Sequence, residues 1–426
     1  MAIIGQLGGC LRRRLRLFAL IGLTLVAYIG AVNRAQSLPW FIAALLTATL
    51  VVGLVWPHWL VGRLSVVRRG PDRAEEGETI NFAVDVRNWG YLPRFMVELV
   101  DRLPAFGAAP GAAPGVARTL GMIGYVPGRS SRCFAMPLVC EKRGFYRLGP
   151  VGLASSFPLG LAEARQQRND GVHRLTVYPA VFPIVKLALR GAPSQIHRGG
   201  YLLPEGSGAA EFSGLREYRL GDNPRHIHWP TSARMNELMV KQFEPLASAC
   251  VHFVLDLARG SNVGAGRQAT LEYALRIAAS MARFTCYNNI RTRLTGAARR
   301  VVEVEAGSGA MQYQRILDEL AVVDADGSRP YASVLEGIGR RALDGETVVV
   351  FLSPAVGEAS ATFEALMALR ASRAQIFAIV FERSSFVDPL SSRDAQADAA
   401  VALLHEIDAA SVRVRCGDDL VHLFNA

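Results

Sequence analysis

The sequence predicts a fold in three parts: two N-terminal transmembrane helices, a small all-β sandwich, and a C-terminal doubly wound α/β domain. Three observations carry that prediction. Two uncharged apolar runs lie near the N-terminus, the run INFAVDVRN alternates apolar and polar residues, and from about Ser248 buried-type strands alternate with amphipathic helices. A chain of 426 residues has room for two or three domains with their own cores, at roughly 100–200 residues each.

The first apolar run, Leu17–Val32, is apolar apart from Thr24 and the Tyr28 hydroxyl, and follows the basic stretch LRRRLR. A polar link, NRAQS, leads to a second uncharged run, Leu38–Trp56, with Trp40, Trp56 and Trp59 at its ends as interface anchors. Together they predict a membrane hairpin over residues 1–62, with spans at about 17–32 and 38–56. No small-residue cleavage site stands out and a second apolar run follows at once, so a hairpin is preferred to a secretory signal. Arg12, Arg13, Arg14 and Arg16 precede the hairpin and Arg63, Arg68, Arg69 and Arg73 follow it, against Arg34 alone in the link. The positive-inside rule then puts both ends in the cytoplasm, so the expected location is a bacterial inner membrane, multi-pass, with cytoplasmic soluble domains.

Residues 63–185 read as strands. Ile80, Phe82, Val84 and Val86 alternate with Asn81, Ala83, Asp85 and Arg87, which wets one face and buries the other. RFMVELV, SRCFAMPLV and HRLTVYP add further strands, divided by Gly-, Pro- and Ala-rich joints, and the pattern predicts an immunoglobulin-like sandwich with no catalytic groups of its own. Residues 186–247 read as a linker that ends in the strand MVKQFEP.

Residues 248–426 change register. VHFVLDL, TVVVFLS and QIFAIVF are near-continuous apolar strands, SVRVRC is a short fourth, and TLEYALRIAASMARFTCY, FEALMALRAS and AVALLHEIDAA are helices. In the first helix Leu271, Ala274, Leu275, Ala278 and Met281 share a face. A parallel sheet covered on both sides follows from this alternation, and ligands of such a sheet bind beyond the C-terminal strand ends.

The formal charge of +10 raises the question of nucleic acid, yet apart from Lys142, Lys186 and Lys241 the basic residues are all Arg, and they are scattered with no aromatic-interleaved stripe. No nucleic-acid partner is expected. Cys10, Cys133, Cys140, Cys250, Cys286 and Cys416 form no CxxC pair, which predicts reduced, mostly buried thiols. No Walker motif is present, so no ATP hydrolysis and no cofactor are expected.

The strand VHFVLDL and its loop DLARGSN resemble the first strand of a von Willebrand factor A domain, where Asp-x-Ser-x-Ser supplies oxygens to a divalent metal. Asp256 matches the Asp, but Ala258 and Gly260 stand at the two Ser positions, Ser261 comes one place late, and FLSPAV offers only Ser353 after the central strand. A hard cation needs several oxygen ligands, so Asp256 and Ser261 read as a degenerate remnant and no metal is expected. In that reading the nearest cations for a partner are Arg259 and Arg267.

The densest chemistry lies in GLREYRLGDNPRHIHWPTSARMNELMVKQFE. Gly214, Arg216, Tyr218, Gly221, Asp222, Arg225, Ile227, Trp229, Ala233, Arg234 and Glu244 resemble the signature of the bacterial domain-of-unknown-function 58 family, with His228 where that family carries an acid. RGFYRLGPVGLASSFPLGL extends the resemblance upstream. The resemblance implies a membrane-anchored chain with a von Willebrand factor A-like domain that works with a MoxR-type AAA+ ATPase in maturing or remodelling other proteins. Read from the residues, Gly221-Asp222-Asn223-Pro224 is a turn, Asp222 with Arg225 or Arg216 forms a charge-assisted pair, and Trp229 is an apolar plug. A structural clasp, a docking surface and a catalytic or metal site are the competing roles.

The expectation for the whole chain is a non-enzymatic adaptor with a cytoplasmic protein-binding surface. Its rivals are a divalent-metal-dependent binding or hydrolytic protein using Asp256 with Asp222 or His228, and a structural protein of the cell envelope.

Overall fold

The computed structural model describes residues 2–34, 37–101, 118–166, 172–185, 210–217, 227–235, 237–245, 250–340, 346–354, 359–388, 391 and 394–425. It divides into two units, Met1–Ala180 and Val181–Ala426.

The first unit opens with helices α1 (Ala2–Arg34) and α2 (Ser37–Val61). Leu15–Asn33 and Ser37–Val61 are long and apolar enough to cross a membrane, and each outlasts the apolar run that predicted it. The Tyr28 and Thr47 hydroxyls meet at 3.1 Å and the Tyr28 ring stands edge-on to Trp40, while Thr24 and Thr49 donate to carbonyls of their own helices.

Ten strands follow: β1 (Leu64–Arg69), β2 (Arg73–Glu75), β3 (Thr79–Asn88), β4 (Arg94–Asp101), β5 (Arg118–Val126), β6 (Ser131–Val139), β7 (Gly144–Leu148), β8 (Gly152–Ser155), β9 (Ala164–Gln166) and β10 (His173–Tyr178). They form sheets ordered β1-β3-β6, β2-β10-β7 and β5-β4-β8-β9, antiparallel except for the β2–β10 pair. Ile80, Phe82, Val84 and Val86 are all buried, as the alternation of β3 requires. Val84 and Val86 pack with Val97 and Leu99 of β4 and Leu153 of β8, while Ile80 and Phe82 pack with Leu148, Leu175 and Val177. The end of α2 joins the first of these cores through Val61, and Arg94 of β4 stacks 3.9 Å over the Trp59 ring.

In the second unit β11 (Ala210–Glu217), α3 (Trp229–Met235) and β12 (Met239–Pro245) precede the main sheet. That sheet is built from β13 (Cys250–Leu255), α4 (Thr270–Tyr287), β14 (Arg291–Ala297), β15 (Val301–Gly307), α5 (Gly309–Val322), α6 (Tyr331–Gly339), β16 (Thr347–Leu352), α7 (Ala359–Ala371), β17 (Gln375–Phe381), α8 (Arg383–Val387), α9 (Ala395–Glu406), β18 (Ala410–Val414) and α10 (Leu420–Asn425). Its strand order is β15-β14-β13-β16-β17-β18. Every neighbour pair is parallel except β14–β15, so the expected parallel sheet carries one antiparallel edge.

Both faces of the sheet are covered. Val348, Val350 and Leu352 of β16 and Ile376, Ala378 and Val380 of β17 pack with Leu335 of α6, Leu366 and Leu369 of α7 and Leu404 of α9. The alternate residues Val349, Phe351, Phe377, Ile379 and Phe381 are buried as well, and Phe381 meets Phe386, which stands edge-on to Tyr273 of α4. Leu271, Ala274, Leu275, Ala278 and Met281, the predicted apolar face of α4, are all buried.

Candidate functional site

The sheet order places a topological switch at β13. The chain passes from β13 through α4 to β14 on one side, while β16 lies on the other, so a crevice opens beyond the C-terminal ends of β13 and β16. The two strands stay in register as far as Val254↔Val350. Beyond that pair the buried Tyr331 of α6 inserts its hydroxyl, which donates to the Val254 carbonyl at 2.7 Å and accepts from the Phe351 N–H at 3.3 Å. Burial, and then the charge of Asp256, push the Tyr331 hydroxyl well above its ordinary range, with the Phe351 N–H opposing. It stays protonated, which its donor role demands.

The loop after β13 is fixed by its own backbone. Asp256 Oδ1 accepts from the Ala258 N–H at 3.1 Å, and the Ser261 hydroxyl donates to the Asp256 carbonyl at 3.3 Å. Gly327 clamps the loop from below: its N–H donates to the Leu257 carbonyl at 2.9 Å and its carbonyl accepts from the Arg259 N–H at 2.8 Å. A Cβ on Gly327 would lie 2.0 Å from the Ala297 carbonyl oxygen, so the close approach requires glycine. Asn262 and Thr270 finish the turn into α4, accepting from the Leu271 and Val263 N–H groups at 3.2 and 2.9 Å.

One side chain ties the loops of three strands together. Arg383, two residues past the end of β17, donates from Nη1 to the carbonyl and the hydroxyl of Ser353, both at 3.2 Å, and at 3.5 Å to the Ser261 carbonyl. Its Nη2 donates to the Gly260 carbonyl at 3.1 Å. Ser353 in turn donates to the Ser261 carbonyl at 2.9 Å.

Asp256, Ser261, Asn262, Thr270 and Ser353 line a cavity of about 10 Å³, the room of a single water molecule. This oxygen set does not fit a divalent cation. It holds one carboxylate, and the Arg383 guanidinium lies against Ser353. Among the described residues no group of three or more His, Cys, Asp or Glu side chains is placed to hold a metal ion. Beside it a larger cavity of about 250 Å³ lies between α7 and α9, lined by Leu352, Phe363, Leu366, Leu403 and Leu404, with Asp256, Ser353 and Gln396 as polar lining.

The model of the family described as "Protein of unknown function DUF58" matches residues 214–414. That stretch is a DUF58 domain. The crevice, from Asp256 to Arg383, lies wholly within it. No curated protein matches the chain. Among solved structures it is similar to the CARDB domain of the PF1109 protein from Pyrococcus furiosus, at 14% identity over 27% of this chain and 86% of that one, with a TM-score of 0.19. It is also similar to a beta-glucosidase from Listeria innocua (15%, 27% and 16%, TM-score 0.19) and to a superoxide reductase (neelaredoxin) from Ignicoccus hospitalis (14%, 27% and 81%, TM-score 0.17). At these scores the likenesses fix neither fold nor function.

The ends of the DUF58 signature come together as a hairpin, Arg216 opposite Val240 and Glu217 opposite Met239, with Glu244 opposite Glu211 further along. Between them His228 donates its N–H to the Met239 carbonyl at 2.8 Å and its ring meets the Thr231 hydroxyl at 2.8 Å, so it serves the turn into α3. Tyr218, Gly221, Asp222, Arg225 and His226 lie outside the described residues. Trp229 corrects an expectation: it opens α3 with 65% of its surface exposed and plugs no core, because the apolar position opposite β12 is taken by Ile227, bridged to Val240. Arg234 is exposed on α3.

Arg259 and Arg267 of the DUF58 domain are exposed beside the crevice loop. They are not its nearest cations, as the sequence suggested; Arg383 is. An Arg after an apolar strand is a weak signal, and only the fold brings it against Gly260 and Ser353. Tyr331 was equally invisible, being one aromatic residue at the start of a helix.

Proposed function

We propose that this chain is a non-enzymatic adaptor, held in a bacterial cytoplasmic membrane by the α1–α2 hairpin, whose DUF58 domain offers the strand-end crevice to a protein partner. The partner we propose is a MoxR-type AAA+ ATPase. In this reading the β-region is an immunoglobulin-like spacer, the main sheet is a von Willebrand factor A-like domain, and both soluble parts lie in the cytoplasm. The arginines that flank the hairpin support the orientation.

The observation that carries the reading is the set of bonds from Arg383 to Gly260, Ser261 and Ser353. They put a guanidinium beside the Asp256 loop where a metal-dependent hydrolase would hold a cation, and tie the loop ends into a rim beside an apolar cavity. Such a rim suits recognition.

The test is co-purification of the full chain in detergent with a MoxR-type ATPase from the same genome, with and without nucleotide. A stable complex in either state is expected, and no complex in both overturns the reading.

A further inference from the structure

We infer that the crevice recognises an acidic residue of its protein partner, its carboxylate docking on Arg383 while a neighbouring apolar side chain fills the cavity between α7 and α9. The inference rests on the adaptor reading and specifies the chemistry that reading leaves open.

The charge comes first. A guanidinium carries five N–H donors in a planar fork that matches a carboxylate. The acceptors of Arg383 among the described residues are three carbonyls and one hydroxyl, all neutral, and none of them meets its Nε. Arg383 makes no ion pair there, although acids lie close in sequence. The Glu382 carboxylate turns to Arg413 at 3.8 Å and Arg415 at 3.2 Å. The Asp394 carboxylate takes the N–H groups of Ser384, Gln396 and Ala397. A half-buried cation whose acidic neighbours in sequence are engaged elsewhere favours an incoming anion, and Arg259, exposed next to Gly260, adds a second positive charge to the rim, so two cations face the single Asp256 carboxylate of the same lining.

The second feature is the cavity. Ser353 belongs to both features, since it accepts from Arg383 and lines the 250 Å³ space with Leu352, Phe363, Leu366 and Leu403. That space suits one Leu- or Phe-sized side chain, the kind of anchor that dominates binding energy when desolvated. A cation and an apolar pocket sharing one wall select an acidic residue adjacent to a large apolar one.

Overlapping peptides that tile that ATPase supply the probe, with binding of the detergent-solubilised full chain read by fluorescence anisotropy. The peptides that bind are expected to carry Asp or Glu next to Leu, Ile, Phe or Met. Replacing that acid by its amide should weaken binding to the wild-type chain about tenfold or more. Arg383→Gln should lose a similar factor, and the two losses should not multiply. The amide arm needs no altered protein, so misfolding of Arg383→Gln leaves the test intact. Binding unmoved by the amide swap overturns the carboxylate inference while the adaptor stands, and so does retention of the intact ATPase with no peptide bound. Failure of the intact ATPase to bind removes the adaptor reading, and this inference with it.

Discussion

Arg383 reaches Ser353 twice, its Nη1 donating to the hydroxyl and the carbonyl of that residue at 3.2 Å each. The pair joins the ends of β16 and β17, and through Gly260 and Ser261 the same guanidinium reaches the loop of β13. A protein cation thus lies where a sheet of this topology gathers its ligands. Five expectations follow from this region and from the rest of the chain.

Tyr331→Phe keeps the ring and removes only the hydroxyl that spans Val254 and Phe351. Both backbone groups would be left buried without that partner, at a cost of about 1–3 kcal/mol. Urea unfolding of the full chain in detergent should show the drop in midpoint, and an unchanged midpoint would mean that the strands close over the gap.

Asp394 caps α9 by accepting from Gln396 and Ala397 at 3.1 and 3.2 Å, and it also takes the Ser384 N–H at 3.0 Å. Burial alone would raise its pKa, but these bonds outweigh burial and hold the carboxyl below its ordinary value of 3.8. A depressed folded pKa contributes stability that is present above 3.8 and lost as pH falls through the folded value. Asp394→Ala should cost about 0.5–2 kcal/mol at neutral pH and flatten the acid limb of the stability profile. A variant with the wild-type acid limb would show that other carboxylates govern it.

Burial, and then the charge of Glu78, push the Cys140 thiol from 9.0 up to about 11. The folded state therefore keeps a proton that the unfolded chain releases first. The contribution is complete below about pH 9 and disappears as pH rises to about 11. Wild type should lose stability faster than Cys140→Ala across that window. At neutral pH the exposed Cys133 should be alkylated in the native chain while the buried Cys140, Cys250 and Cys286 are protected. Parallel alkaline curves, or rapid labelling of the three buried thiols, would contradict this.

Much of the architecture was legible because burial sets period. Ile80 to Val86 alternate, so β3 was readable; VVVFL and IFAIVF are apolar at every position, so a sheet covered on both faces was readable too. VVEVEAG of β15 alternates just as plainly, with Val302 and Val304 buried and Glu303 outside, but alternation does not say whether a strand runs parallel or antiparallel. The Asp256 loop was found from its residues, while Arg383 and Tyr331 were not, since each acts through partners distant in sequence: Ser261 is 122 residues from Arg383 and Val254 is 77 from Tyr331. Trp229 misled for the opposite reason, because a large apolar residue in a dense motif implies burial that its place at the start of α3 does not provide.

The arginine asymmetry around α1 and α2 gives the fourth expectation. Reporter fusions at Gly70 and at the C-terminal Ala426 should be active only as cytoplasmic markers. An active periplasmic reporter at either position would reverse the proposed orientation.

Metal titration decides most directly whether Arg383 stands in place of a metal ion in the crevice. Calorimetry of the full chain in detergent with Mg²⁺ and Mn²⁺ should show no binding tighter than about millimolar, because the oxygen set offers one carboxylate beside a guanidinium. A micromolar Kd that vanishes in Asp256→Ala would contradict this and return Asp256 and Ser261 to the role of metal ligands.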